Sequence, residues 1–321
     1  MTKKIMTTQE IFDLGIKLGI KSDLRGEKKV QANLDRAKKK YEKLDKEKKA
    51  EFDLEKLTNP YSDSRVLVSG NSQQVRKIMV GVDLEGPEML LAKQRGDIDL
   101  LFSHHPEGKA LADLHSVMDL QAEVLAGYGV PINIAEKLMK PRISEVGRSV
   151  ISGNYNRWVD FAAALKMDFM CVHTPCDNLG AKFLVDLIAK KNPEFVSELL
   201  DLIKEIPEYK AAIKSNAGPV LFAGSPDHHC GKIAVTEFTG GTEGAKELYE
   251  KMAHAGIGTV IGMHLSEKGR EEAEKNHINV VIAGHMSSDS LGINLFLDEL
   301  EKKGLEIIPL SGLIRVKRFK K

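Results

Sequence analysis

From residue 75 to the end, short β-branched apolar runs alternate with longer amphipathic stretches, and this rhythm restricts the fold more than any other feature. KIMVGVDL, DIDLLFS, PINIAE, DFMCVHT, KIAVTEF, IGTVIGM and INVVIAG read as strands, mostly as near-continuous apolar runs of the kind buried on both faces. Between them SVMDLQAEVLAGYG, RWVDFAAALKM, LGAKFLVDLIAKKN, GAKELYEKMAHAG, KGREEAEKNH and LGINLFLDELEKKG carry helical spacing. Such alternation predicts an α/β fold with parallel or mixed sheets.

The first 58 residues follow a different pattern. TTQEIFDLGIKLGI opens on a Thr ahead of a Glu and an apolar stripe, the signature of a capped amphipathic helix. After a break at Gly26, Leu34, Ala37, Tyr41 and Leu44 recur at spacings of three and four, a stripe suited to packing on one neighbour. The division expected is a charged helical segment over 1–58, a first α/β half over 59–190, a helical connection over 191–218 and a second α/β half over 219–321.

Composition narrows the function classes. With 47 basic against 46 acidic side chains there is no electrostatic case for a membrane-surface binder, and little for a nucleic-acid binder. The lysine-rich helix after Gly26 offers a nucleic-acid arm or a solvated face, and its interleaved Asp and Glu favour the face. No apolar stretch is long enough to cross a bilayer, and MTKKIMTTQEIFDL lacks an apolar run before a small-residue cleavage site. A soluble, cytoplasmic protein is expected. The three cysteines, Cys171, Cys176 and Cys230, suit a reducing compartment. Cys171 and Cys176 flank His173, but CxxxxC with no second pair is a weak zinc pattern, and buried thiols account for it better.

Chemistry-bearing residues gather at three strand ends. In LLFSHHP, adjacent histidines on a regular strand would face opposite ways. Pro106, unable to donate to a ladder, ends the strand and frees His104 and His105 to share a site. DFMCVHTPCD ends a strand with His173 and offers Asp177 before the next helix begins. INVVIAGHMSSD ends another with His285, followed by a helix capped at Ser287 or Ser288 with Asp289 in its first turn. Ligands of α/β sheets collect beyond the carboxyl ends of strands. Imidazole with carboxylate suits Zn, Mn, Fe, Co or Ni better than Mg or Ca.

The order SHHP, HTxxD, GHxxxD resembles the Nif-three-like family, dinuclear metal-centre proteins also known as GTP cyclohydrolase type two. The resemblance runs from about residue 60 to the end and includes VLVSGNSQQVRKIMVGVDL, which looks like that family's N-terminal strand pair. It implies two interlocked α/β halves, a ring-shaped homohexamer and two divalent transition-metal ions between the halves. Carried onto this chain, the metal ligands are His104, His105, Asp177, His285 and Asp289, with Asp177 as bridge. Asp289 departs from the Glu usual in that family, and the charged N-terminal segment is longer than its usual start.

A pair of ions can hold a hydroxide at neutral pH and stabilise both oxygens of an in-line displacement. The expectation is therefore a metal-dependent hydrolase of a small phosphorylated or nucleotide-like substrate. The alternative is a metal-binding regulatory or scaffold ring without a dedicated catalytic role. His173, outside the matched ligands, is assigned proton transfer or support of a ligand. TGGTEG offers a strand, glycine turn and helix without a nucleotide-loop ending, so a tight turn is the better reading than a phosphate cradle. His228 and His229 in PDHHCGK read as loop residues, and His264 at the end of IGTVIGM as a cavity residue.

Overall fold

The computed structural model describes residues 6–72 and 74–319. Helix α1 (Thr8–Ser22) opens on the capping box read from TTQE: the Glu10 N–H donates to the Thr7 hydroxyl and the Thr7 N–H donates to the Glu10 carboxylate at 2.9 Å. Ile11, Phe12 and Ile16 line its buried side. Gly26, at φ 85, turns the chain into α2 (Glu27–Glu42), which buries Val30 and Leu34 and leaves Ala37 and Tyr41 half-covered. Next come α3 (Lys46–Glu51) and a 3-10 turn over Leu54–Leu57.

Strands β1 (Arg65–Val68), β2 (Lys77–Gly81), β3 (Leu100–Ser103) and β4 (Asp168–Cys171) build the first sheet. Helix α4 (Gly86–Arg95) links β2 to β3, and α5 (Gly108–Ala112), α6 (Leu114–Val117), α7 (Asp119–Gly127), α8 (Ile132–Ile151) and α9 (Arg157–Ala164) lie between β3 and β4. Helices α10 (Thr174–Lys191), α11 (Val196–Lys204) and α12 (Pro207–Ile213) lead to β5 (Val220–Ala223). The second sheet adds β6 (Lys232–Glu237), β7 (Ile257–Gly262) and β8 (Asn279–Ile282), with α13 (Leu248–His254) and α14 (Glu267–Lys275) between them. Helix α15 (His285–Lys302) then returns the chain to β9 (Glu306–Pro309), which joins the first sheet.

The sheets run β1-β4-β3-β2-β9 and β5-β8-β7-β6. Both are parallel except for one irregular antiparallel edge strand, β1 against β4 and β5 against β8. The α/β class with mixed sheets and an N-terminal helical segment is as expected, and β9 interlocks the halves. The apolar runs are buried on both faces. Ile78, Val80 and Phe102 pack with Phe12 of α1 and Phe296 of α15, while Met79 and Leu101 pack under α4 and α9. Among the described residues no helix is long and apolar enough to cross a membrane.

Some elements differ from expectation. PINIAE is the start of helix α8, not a strand: Pro131, at φ −58, is set for a helix start, and the buried face begun at Ala135 continues through Met139 and Val146, beyond the six residues read. β1 and β2 form from VLVSGNSQQVRKIMVG but are not neighbours, since β4 and β3 lie between them. β5 and β9 were not anticipated. Each is a four-residue edge strand, and β5 leaves Val220 and Phe222 exposed.

The two sheets repeat one scheme. From the end of β4 and of β8 a long helix departs, each opening on the pattern HxxxD: His173 to Asp177, and His285 to Asp289. Helices α10 and α15 cross at Gly180 and Gly292, where a side chain would strike the Phe238 ring at 2.9 Å or the Cys176 carbonyl. The N-terminal segment braces this crossing. Tyr61 donates its hydroxyl to Asp23 at the end of α1 (2.9 Å) and accepts the Asn178 amide from α10 (3.1 Å).

Candidate metal centre

After Ser103 the backbone of β3 leaves the ladder and folds over the end of β2. The His104 N–H donates to the Gly81 carbonyl at 3.0 Å and the His105 N–H to the Val82 carbonyl at 2.9 Å. Released from strand geometry, the two rings turn to the same side, with centroids 5.5 Å apart. Two helix starts differ from the reading. Helix α15 begins at His285 after Gly284, at φ 104, so neither Ser287 nor Ser288 caps it and Asp289 lies one turn in. Helix α10 begins at Thr174, capped by His173, so Asp177 belongs to its first turn. In both helices the i, i+4 spacing puts histidine and carboxylate on one side.

The five residues matched as ligands meet. His104 Nε2 lies 3.3 Å from Asp177 Oδ1 and 3.6 Å from Asp289 Oδ1. Asp289 Oδ2 lies 3.5 Å from His105 Nε2 and 3.5 Å from His285 Nε2. His104, Asp177 and Asp289 form one group able to hold an ion, and His105, His285 and Asp289 a second. Asp289 is therefore the member common to both, a place expected for Asp177. The shorter side chain still reaches both groups because it rises from the helix start at the seam of the two sheets.

A fit to cations follows from what these atoms lack. His104 Nε2, Asp177 Oδ1 and both Asp289 oxygens are buried without a hydrogen-bond partner. Such atoms are costly to leave unsatisfied, and one bound cation serves several at once. In three of the histidines the ring nitrogen facing away is engaged. His104 Nδ1 meets the Val172 carbonyl at 3.1 Å, His105 Nδ1 the Asp83 carboxylate at 2.6 Å, and His173 Nδ1 the Asp63 carboxylate at 2.8 Å. Each ring thus directs Nε2 inward, the arrangement that prepares histidine for metal.

The charges of the cluster shift one another's affinity for protons. Burial alone would push His104 down, but Asp289 and Asp177 outweigh it and hold the imidazole well above its usual value. His105 is likewise raised to about 9 by Asp289 and Asp83 against burial. Burial opposes ionisation of Asp289, yet His104 above all keeps it far below the usual carboxylate range. Burial depresses His264 and His285. A cation bound here would compete with protons for these imidazole nitrogens.

Sequence reasoning missed Asp63 and Asp83, although Asp83 is the last but one residue of KIMVGVDL, just past the end of β2, where it could have been sought. His264 does sit beside the cluster, its ring 5.1 Å from that of His285. His173 also comes in, forming a third group with His104 and His105. His228 stays out, bonded to Asn279 at 3.2 Å, and so does His229, beside Glu194 at 3.6 Å. The three cysteines are buried and free, and none joins a metal group among the described residues. TGGTEG makes a turn whose Gly240 and Thr242 carbonyls accept from Gln121, and α13 starts only at Leu248, so no helix N-terminus follows the glycines directly.

Two mixed α/β sheets with a buried histidine and aspartate cluster at their seam define the class of the molecule. Its fold is that of a NIF3 superfamily protein from Sphaerobacter thermophilus, with TM-score 0.77 and 24% identity over 96% of this chain and 99% of that one. Reduced HcgD from Methanocaldococcus jannaschii aligns at TM-score 0.48 and 18% identity over 76% of this chain and 91% of its own. Protein ybgI, of unknown function, aligns at TM-score 0.48 and 17% identity over 78% and 90%. No family model and no curated protein matches the sequence. The fold named from SHHP, HTPCD and GHMSSD is thus the fold found.

Proposed function

We propose that this chain is a dinuclear metal-dependent hydrolase of a small phosphorylated or nucleotide-like substrate. The observation that carries the reading is the convergence of four unpartnered buried donor atoms on two groups sharing Asp289. His104, Asp177 and Asp289 would hold one divalent transition-metal ion, and His105, His285 and Asp289 the other. Bound there, the ions would polarise the scissile group and supply a hydrolytic nucleophile at neutral pH.

The protein's own residues set access and orientation. A cleft of about 20 Å³ beside His173, Asp177, Glu237, His264 and His285 has room for water and excludes the body of a substrate. Glu243 lines both this cleft and a wider groove of about 740 Å³, where Lys137, Arg142, Arg148, Lys246 and Lys268 outnumber the acids. An anionic substrate resting in that groove would be drawn toward the ions by its reactive end. The test is a screen of nucleotides and phosphodiesters with protein reloaded with Mn, Zn, Fe or Co. Turnover abolished by Asp289→Ala supports the reading; protein that keeps its metal and hydrolyses nothing defeats it. In that case the scaffold reading takes over.

The proposal extends to a cytoplasmic homohexamer. The three reduced thiols suit such a compartment. The exposed Ile213, Val220 and Phe222 at the β5 edge offer an assembly face. Mass in solution, compared between the chain and its Val220→Lys variant, checks assembly.

A further inference from the structure

We propose that His173 is an additional metal ligand, presented by Asp63, rather than a proton-transfer residue. The inference rests on the reading that the cluster binds cations, and it concerns a residue outside the two groups that share Asp289.

Three independent features support it. The first is the repeat of the two halves: His173 stands to Asp177 at the start of α10 as His285 stands to Asp289 at the start of α15. A scheme that makes one of these histidines a ligand presents the other in the same way. The second is proximity. His173 groups with His104 and His105, its ring centroid is 4.8 Å from that of His104 and 5.8 Å from that of His105, and its Nε2 lies 3.8 Å from Asp177 Oδ2. The ring therefore sits on the His104 and Asp177 side of the cluster, where one nitrogen and two carboxylates leave a fourth place open.

The third feature is orientation. Asp63 is fully buried, and one of its oxygens, Oδ2, accepts both His173 Nδ1–H (2.8 Å) and the Thr174 hydroxyl (2.6 Å). Ser64 fixes the same residue from the backbone, its hydroxyl accepting the His173 N–H at 2.9 Å. A ring whose Nδ1–H is given to a carboxylate is fixed in orientation with Nε2 turned toward the cluster, the arrangement in which histidine is presented to a metal. His105 is held in the same manner by Asp83. Asp63 lies just before β1, at the start of the first α/β half, and gives the centre a positioning residue outside the matched motifs.

The experiment uses the full chain, stripped of metal and titrated with cobalt(II). In protein loaded with diamagnetic zinc and labelled with 15N-histidine, His173 Nε2 should show the shift of a metal-bound nitrogen, and Asp63→Asn should weaken that signal. Asp63→Asn should also weaken one of the two cobalt ions by about 10- to 100-fold while sparing the other. His173→Gly should change the cobalt visible absorption by the loss of a nitrogen donor, and free imidazole should restore it, which a merely structural role would not allow. Wild-type affinity and spectrum in His173→Gly, with hydrolysis alone impaired, would overturn the assignment in favour of proton transfer. A wild-type chain that binds no cobalt would instead bring down the metal reading itself.

Discussion

Gly292 of α15 rests against the carbonyl of Cys176 in α10 so closely that a Cβ at 292 would overlap the oxygen. The two helices that carry Asp177 and Asp289 are registered by this contact. Alanine favours a helix over glycine by about 1 kcal/mol, so a surface glycine replaced in this way would stabilise. Here the obstacle is backbone, which cannot rotate away, and overpacking costs about 1–3 kcal/mol. Gly292→Ala should therefore lower stability on balance and separate the two carboxylates. Denaturant unfolding together with metal content measures both effects; a stabilised variant with full metal content would refute the account.

Asp289 reaches His104 with one oxygen and His105 and His285 with the other. Because it belongs to both groups, Asp289→Ala should lose both ions. His285→Ala and Asp177→Ala should each lose one, since each belongs to a single group. Metal analysis after dialysis distinguishes the cases. Retention of one ion by Asp289→Ala would return the bridging place to Asp177.

The C-terminal segment is tied to the same helix by buried charge. Arg318 pairs with both oxygens of Glu208 at 2.6 Å, and Glu208, fully buried, also accepts from Asn294 of α15. Arg315 joins Asp298 and Glu301 alongside. Removing one partner of a buried pair strands the other, at a cost of about 3–5 kcal/mol. Arg318→Met should be destabilised by an amount toward the lower end of that range, because its side chain is partly exposed. Adding Glu208→Gln should recover much of the loss. Unfolding curves of the single and double variants make the comparison, and additive losses would show that the pair is not coupled.

The sequence carried the parts of this molecule whose signal is local. Strand runs such as DLLFS, the TTQE cap and the three histidine motifs each declare themselves within a few residues. PINIAE misled because six residues cannot separate a buried strand from the first turns of a helix. Asp63 and Asp83 were hidden for another reason. Nothing local singles out Asp63 among 46 acidic residues, while Asp83 lies just past a strand run that marks it only as a place to look; their histidine partners lie 110 and 22 positions away, so only the assembled fold reveals either pairing. Asp289 as the shared member follows from where α15 begins, which turns on Gly284 and could not be settled while two serines competed as caps.

Glu237 at the end of β6 lines the cleft and accepts the Gly244 N–H at 3.1 Å. Burial pushes its carboxyl up to about 7. A carboxyl raised in the folded state favours folding while protonated in both states, below about pH 4.5, and that advantage is lost as pH rises through about 7. Metal-free protein should accordingly lose stability across this window through Glu237. Glu237→Gln, which keeps an acceptor for Gly244 without ionising, should remove that part of the slope. Relative to wild type the variant should gain up to about 3 kcal/mol between pH 4.5 and 8, from the shift converted at 1.36 kcal/mol per pKa unit. Urea unfolding at the two pH values, with chelator present, reads the difference. Parallel stability profiles for the two proteins would mean that Glu237 ionises as freely in the fold as in the unfolded chain.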